Sequence, residues 1–265
     1  MLSGKRLCFT AYTTDRKDAH PMTSTEAMIY QLKNLKGKPF KQKVEHIVTY
    51  FWLPIVITLV ILISLGSYIV HVVTMKDMAL SVICLNAFSD AEAGTAYATD
   101  FAQKAGIDLE EYEIYVATDL TLSDQDPMNS YNTVQVLIAQ VAAHSVDILA
   151  GDLTNTTRYF YQDMYWDLTQ ILSPEQQEQY GEYFLYMDMA VARRLEEELE
   201  ETPVFPDPTK PEEMEEPVPV ALLLPETSGF KEACYPYHKD GIVFGIVSTT
   251  DHMETALAFL DHVMQ

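Results

Sequence analysis

Between His46 and Lys76 the chain carries no Asp, Glu, Lys or Arg. The apolar heart of that stretch runs from Phe51 to Val70, interrupted by Pro54, Thr58, Ser64, Gly66 and Ser67. As a helix, residues 51–73 would span roughly 35 Å at about 1.5 Å per residue, enough for a hydrocarbon core of about 30 Å. Thr58, Ser64 and Ser67 can return hydrogen bonds to helix carbonyls, and Tyr50, Trp52 and Tyr68 suit the two interfaces. Pro54 is expected in the first turn, where its missing N–H costs nothing. The pattern predicts one transmembrane helix over residues 50–74, facing the bilayer through residues 51–73.

After the helix the pattern alternates short β-like runs with amphipathic stretches. Met78–Phe88 reads as a strand, Ala91–Ala105 as a helix ended by Gly106, and Glu111–Thr118 as an alternating strand. Ser130–His144 reads as a helix with Tyr131, Val134, Ile138, Val141 and Ala142 on one face. Val146–Ala150 is a short buried strand, and Leu153–Asp163 is helical. Ser173 caps a helix beginning at Pro174, and Met187–Glu201 continues as helix. Val218–Leu224 and Gly241–Ser248 are strands. Asp251–Met264 closes the chain as a helix with Met253, Leu257, Leu260 and Met264 inward, capped by Thr250 or Asp251. The β-α-β-α-β order predicts an α/β domain with a parallel-rich sheet covered by helices.

Charge divides the chain at the same helix. Residues 1–46 hold nine Lys/Arg and four Asp/Glu, about +5; the remaining eight Lys/Arg and 35 Asp/Glu lie beyond it, −27, within a total of −22. Lys33, Lys36, Lys38, Lys41 and Lys43 precede the helix, whereas Lys76 and then acids follow it. The positive-inside rule therefore predicts a cytoplasmic basic tail over residues 1–49 and an extracellular domain over 75–265, in a single-pass protein of the cell membrane. The apolar run is too long and starts too late for a cleaved signal peptide, and reads as a signal anchor. Met22 and Met28 stand in the tail as alternative starts. So acidic a domain excludes nucleic acid as a partner, since such binding needs Lys/Arg against phosphate. Glu196–Pro219, with ten Asp/Glu, six Pro and one Lys, is expected as a solvated loop. Cys84 and Cys234 fall on the same predicted side, so they are either a bridge or two buried free thiols.

Catalytic patterns are missing: there is no G-x-S-x-G, H-E-x-x-H, P-loop or C-x-x-C. No enzyme, metal or cofactor is expected. His252 and His262 would lie about 80° out of register on a helix, which argues against a shared metal. Asp119, Asp124 and Asp126 lack the glycine and closing Glu of a calcium loop. His144 reads as a helix-end cap. A ligand site in such a domain belongs at the carboxyl ends of the parallel strands. Those ends supply Ser89, Asp90, Thr118, Asp119, Asp152 and Ser248 as candidate ligand-binding residues, with aromatic walls from Tyr159, Tyr161, Tyr165 and Trp166.

Several segments also resemble a known family. Val134–Asp152, ending Val-Asp-Ile-Leu-Ala-Gly-Asp, looks like the helix-then-strand segment of extracellular solute-binding proteins of the type 2 periplasmic-binding fold. Tyr165-Trp-Asp-Leu168 is similar to a turn of that family with its glycine replaced. Gly241–Ser248 followed by Glu254–Leu260 resembles its late strand and helix. The anchor and Leu35–Lys41 are similar to uncharacterised membrane proteins of Gram-positive anaerobes. The resemblance implies a first lobe from residues 78–154 and 218–265 and a reduced second lobe, holding the acidic loop, from 155–217. It also implies capture of a small molecule or peptide outside the cell. The alternative expectation is a ligand-free interaction module docking on a membrane partner such as a permease.

Overall fold

The computed structural model describes Lys33 and residues 39–89, 91–123, 125–197, 204–238 and 241–265. The rest of the basic tail up to residue 38, the candidate Asp90, and residues 198–203 of the acidic stretch lie outside the described residues. The chain divides into two compact units, Met1–Met75 and Lys76–Gln265.

In the first unit α1 spans Phe40–Thr74. Within it Trp52–Val72 is long and apolar enough to cross a membrane, and none of it is buried in the protein. The helix begins earlier than expected, so Pro54 lies in its interior rather than its first turn. A proline there removes one main-chain hydrogen bond. The helix ends where the Thr74 hydroxyl donates to the carbonyls of Val70 (2.8 Å) and His71 (3.3 Å).

The second unit is an α/β domain. Its strands are β1 (Asp77–Leu85), β2 (Tyr112–Ala117), β3 (Ile148–Asp152), β4 (Phe184–Asp188), β5 (Pro217–Leu223) and β6 (Ile242–Ile246). They form one sheet in the order β2-β1-β3-β6-β5-β4. The β1–β2 and β1–β3 pairs are parallel, whereas β3–β6, β6–β5 and β5–β4 are antiparallel. The sheet is therefore mixed. Gly241–Ser248 is apolar nearly throughout, and a buried run of that kind reads the same in either direction.

Apolar clusters cover both faces, because β1, β3 and β6 are buried on both sides and their residues alternate between the faces. On one face Val82, Cys84, Ile148 and Phe244 meet Phe101 of α2 (Ala91–Ala105), Phe230 of α8 (Gly229–Cys234) and Phe259 of α9 (Met253–Val263). The rings pack edge to face: Phe101–Phe259 at 4.9 Å and Phe230–Phe259 at 5.7 Å. On the other face Ile83, Leu149 and Val243 meet Leu137 of α3 (Pro127–Ala142) and Tyr159 and Phe160 of α4 (Leu153–Phe160). Each fully buried aromatic or leucine contributes about 1.5–3 kcal/mol.

The remaining helices are α5 (Leu168–Ile171), α6 (Pro174–Tyr180) and α7 (Met189–Glu197). Ser173 and Gln176 cap α6 reciprocally, as its sequence predicts. Residues 155–217 differ from the expected second lobe: their strand β4 joins the edge of the same sheet, inside the same compact unit. The helix expected over Met187–Glu201 starts two residues later, at Met189, because Met187 and Asp188 end the strand Phe184–Asp188. The turn between strand and helix is set at Asp188, whose carboxylate accepts the N–H groups of Ala190, Glu215 and Glu216. Burial raises its pKa, but the three N–H donors outweigh it and hold the group below the usual carboxylate range. The same bonds pull part of the acidic stretch down: Pro208 and Met214 are buried and Phe205 stacks on Tyr161 at 4.6 Å.

Candidate functional site

At the carboxyl ends of β1 and β3 the polar side chains are spent on one another. Asn86 takes a left-handed turn (φ 56°), its Oδ1 accepting the Leu122 N–H and its Nδ2 donating to Asp152, both at 2.7 Å. Asp152 caps α4, with its Oδ1 accepting the N–H and the amide of Asn155 at 3.0 and 2.9 Å. Thr118 is buried beside them, Asp119 is exposed, and Ser89 Oγ is buried without a hydrogen-bond partner among the described residues. Phe88, also left-handed, stacks on His238 at 5.9 Å. Ser89, Thr118, Asp119 and Asp152 are thus brought to one end of the sheet, where Asp152 serves as a cap.

The other candidates are not brought there. Because β6 runs antiparallel to β3, Ser248 emerges at the opposite end of the sheet, donating from its N–H to Met164 and from its hydroxyl to Asp163. Tyr165 bridges Val247, and the Trp166 N–H donates to the Ile246 carbonyl. The Tyr165 ring covers Gly245 so closely that an added Cβ there would meet Cδ1 at 2.2 Å. Burial pushes its phenol pKa well up, and its hydroxyl has no hydrogen-bond partner among the described residues. Tyr159 is buried too, and Tyr161 accepts the Asp188 N–H through its hydroxyl. These rings are core rather than the walls of a crevice.

The amino ends of β1 and β3 hold a different arrangement. Asp147 immediately precedes β3 and is 1% exposed. Its carboxylate accepts the Ser81 N–H (2.7 Å) and the Thr250 hydroxyl (2.5 Å). His252 Nδ1 stands 3.1 and 3.2 Å from its two oxygens. The main chain of Asp147 also pairs with Ser81 and Val247, so one residue ties β1, β3, β6 and the start of α9. Burying a carboxylate is costly unless donors surround it, and here they come from β1 and from the turn that leads into α9.

His252 lines a cleft of about 380 Å³. Ile107 and Asp108 come from the loop after α2, Met78 and Tyr112 from the starts of β1 and β2, and Thr255 from the first turn of α9. A neighbouring cleft of about 340 Å³ shares Tyr112 and includes Lys76, whose ammonium donates to the Leu109 carbonyl at 2.5 Å. With Nδ1 committed to Asp147, Nε2 is the nitrogen that His252 has left to offer a ligand, as an acceptor when neutral or a donor when charged. The helical spacing of His252 and His262 argues against a shared metal but does not bring His252 to Asp147. The signal for that contact was Asp147 itself, a lone carboxylate in the apolar run Val146–Ala150 that had to find donors once buried.

Among the described residues no group of three or more His, Cys, Asp or Glu could hold a metal ion. Cys84 and Cys234 are both free thiols, fully buried on one face of the sheet. Burial pushes the Cys84 thiol well up, and the neighbouring Cys234 adds to the shift. Comparison with protein-family models, with curated proteins and with solved structures finds no match for this chain.

Proposed function

We propose that this is a membrane-anchored binding protein, with its acidic α/β domain displayed outside the cell. The cleft at His252 would take a small molecule, or the end of a short peptide, that sets a hydrogen-bonding group on an apolar body. The observation that carries this reading is the pairing of His252 with the buried Asp147 at the edge of a cleft of about 380 Å³. Binding sites combine apolar walls with a few polar groups whose orientation is fixed in advance. Met78 and Ile107 supply such walls, while His252, Thr255 and Tyr112 supply polar groups. Anchoring is supported by Trp52–Val72, and the outward orientation by the lysines before it.

The test is a thermal-shift screen of the full chain in detergent against amino acids, sugars, short peptides and organic acids. A ligand at a hundred times its Kd adds about 2.7 kcal/mol to stability, a visible shift in Tm. The expected hit raises Tm in the natural chain and loses that effect in His252→Ala. A hit whose shift survives His252→Ala would place the site elsewhere, and a library without hits would defeat the binding reading.

A further inference from the structure

We propose that two copies of the chain associate through the outer face of α3, the helices packed antiparallel about a twofold axis at Gln135. The helix is anomalous in this domain. Its sixteen residues contain no Asp, Glu, Lys or Arg, although residues 76–265 carry a net charge of −27. Its sheet-facing side buries Thr133 and Leu137, with Val134 and Val141 half-buried against the same core. Tyr131 and Ile138, expected on one face with Val134 and Val141, stand 63% and 48% exposed, and Met128 is 71% exposed.

The outward residues Met128, Tyr131, Gln135, Ala139 and Ala142 are all exposed, at spacings of three, four, four and three. That is the stripe a helix presents to another helix. The spacing is also palindromic about Gln135. An antiparallel partner therefore sets Met128 against Ala142 of the second copy, Tyr131 against its Ala139, and Gln135 against its Gln135. Bulky side chains meet small ones in both directions, as an isologous contact requires. Parallel packing would set Tyr131 beside Tyr131 and leave the alanines facing a gap.

Charge selects the same occupant. Two bodies of −27 repel across most of their surfaces, so close approach is cheapest where charge is absent. Antiparallel helices also bring opposite dipole ends together. The arrangement places Asp126, which caps the amino end of α3, near His144 of the second copy, just beyond the carboxyl end. One helix pair buries less than the roughly 1,200–2,000 Å² of a stable complex. Confinement of both copies to one membrane would raise their effective concentration and compensate. The strength of the contact thus rests on the proposed anchoring, which retention in carbonate-washed membranes reads separately.

The experiment is thiol cross-linking of the full chain in native membranes, in a Cys8→Ser background that leaves only the buried Cys84 and Cys234. Gln135→Cys should give a disulfide-linked band at twice the chain mass on mild oxidation. Glu175→Cys, an exposed position on α6, should not. Adding Tyr131→Glu or Ala139→Glu should abolish the Gln135→Cys band without moving the Tm, because both positions face solvent in the single copy. Cross-linking of Gln135→Cys no stronger than that of Glu175→Cys would overturn the proposal. So would a band that persists with Tyr131→Glu, or one at the mass of a different protein.

Discussion

Removing the carboxylate of Asp147 would leave the Ser81 N–H and the Thr250 hydroxyl without their acceptor and free His252 to rotate. Asp147→Ala should therefore cost about 3 kcal/mol or more in urea unfolding, since hydrogen bonds to a buried charge contribute about 1.5–3 kcal/mol each. His252→Ala removes a side chain that is one-third exposed (32%) and should cost about 1 kcal/mol or less. Equal losses would mean that the carboxylate exists for the histidine and not for the fold. His262 makes a second residue-scale case. It sits among Tyr97, Phe101 and Phe259, and burial lowers its pKa, helped by Lys104 and opposed by Asp100. A histidine with a depressed folded pKa binds its proton first in the unfolded chain. Its stabilising effect is present above the unfolded pKa of about 6.5 and is lost as the pH falls below it. Between pH 7 and 5 the Tm of the natural chain should fall relative to that of His262→Phe, and a constant difference between the two would show that His262 does not contribute.

At the scale of elements, Gly245 in β6 shows how one close approach decides the use of its neighbours. Gly245→Ala would drive a Cβ into the Tyr165 ring, so it should cost about 1–3 kcal/mol or more in urea unfolding. Combining it with Tyr165→Ala should cost less than the two changes summed, and full additivity would show that they do not touch. The contact also explains what the sequence could not say. Strands β1, β2, β3, β5 and β6 and helices α2, α3, α6 and α9 were legible from apolar periodicity and from the caps at Ser173 and Gly106. The short α8 was not, since Gly229–Cys234 is too brief to show a period. Strand β4 was not either, because Phe184–Asp188 runs into a helix without a glycine or proline between them. The direction of β6 was invisible, and with it went the grouping of Ser248, Tyr165 and Trp166 with Asp152. The face of α3 was legible in part: Val134 and Val141 pack against the core, whereas Tyr131, Ile138 and Ala142 of the same stripe stand exposed. Periodicity finds an apolar stripe but does not say which of its residues reach the core. Of the candidate site, His252 and Asp147 were visible only as separate residues, 105 positions apart.

For the whole molecule, the balance of lysines around α1 carries the proposed orientation. Within twenty residues of the apolar run, five lysines precede it and Lys76 alone follows it. The acids of the folded domain do not enter this count, because Asp and Glu contribute little to orientation. Replacing Lys33, Lys36, Lys38, Lys41 and Lys43 by Gln would leave Lys76 as the only nearby cation and reverse the bias. In intact cells the domain of the natural chain should be open to added protease, whereas a large fraction of the five-lysine variant should be protected. Both chains should remain in carbonate-washed membranes, since Trp52–Val72 is unchanged and each central Leu, Ile, Val or Phe favours insertion by about 0.3–0.6 kcal/mol. A natural chain protected from protease would place the His252 cleft in the cytoplasm and exclude an external ligand. A variant as open as the natural chain would show that the lysines do not set the orientation, leaving the folded domain or the more distant Lys5, Arg6, Arg16 and Lys17 to do so.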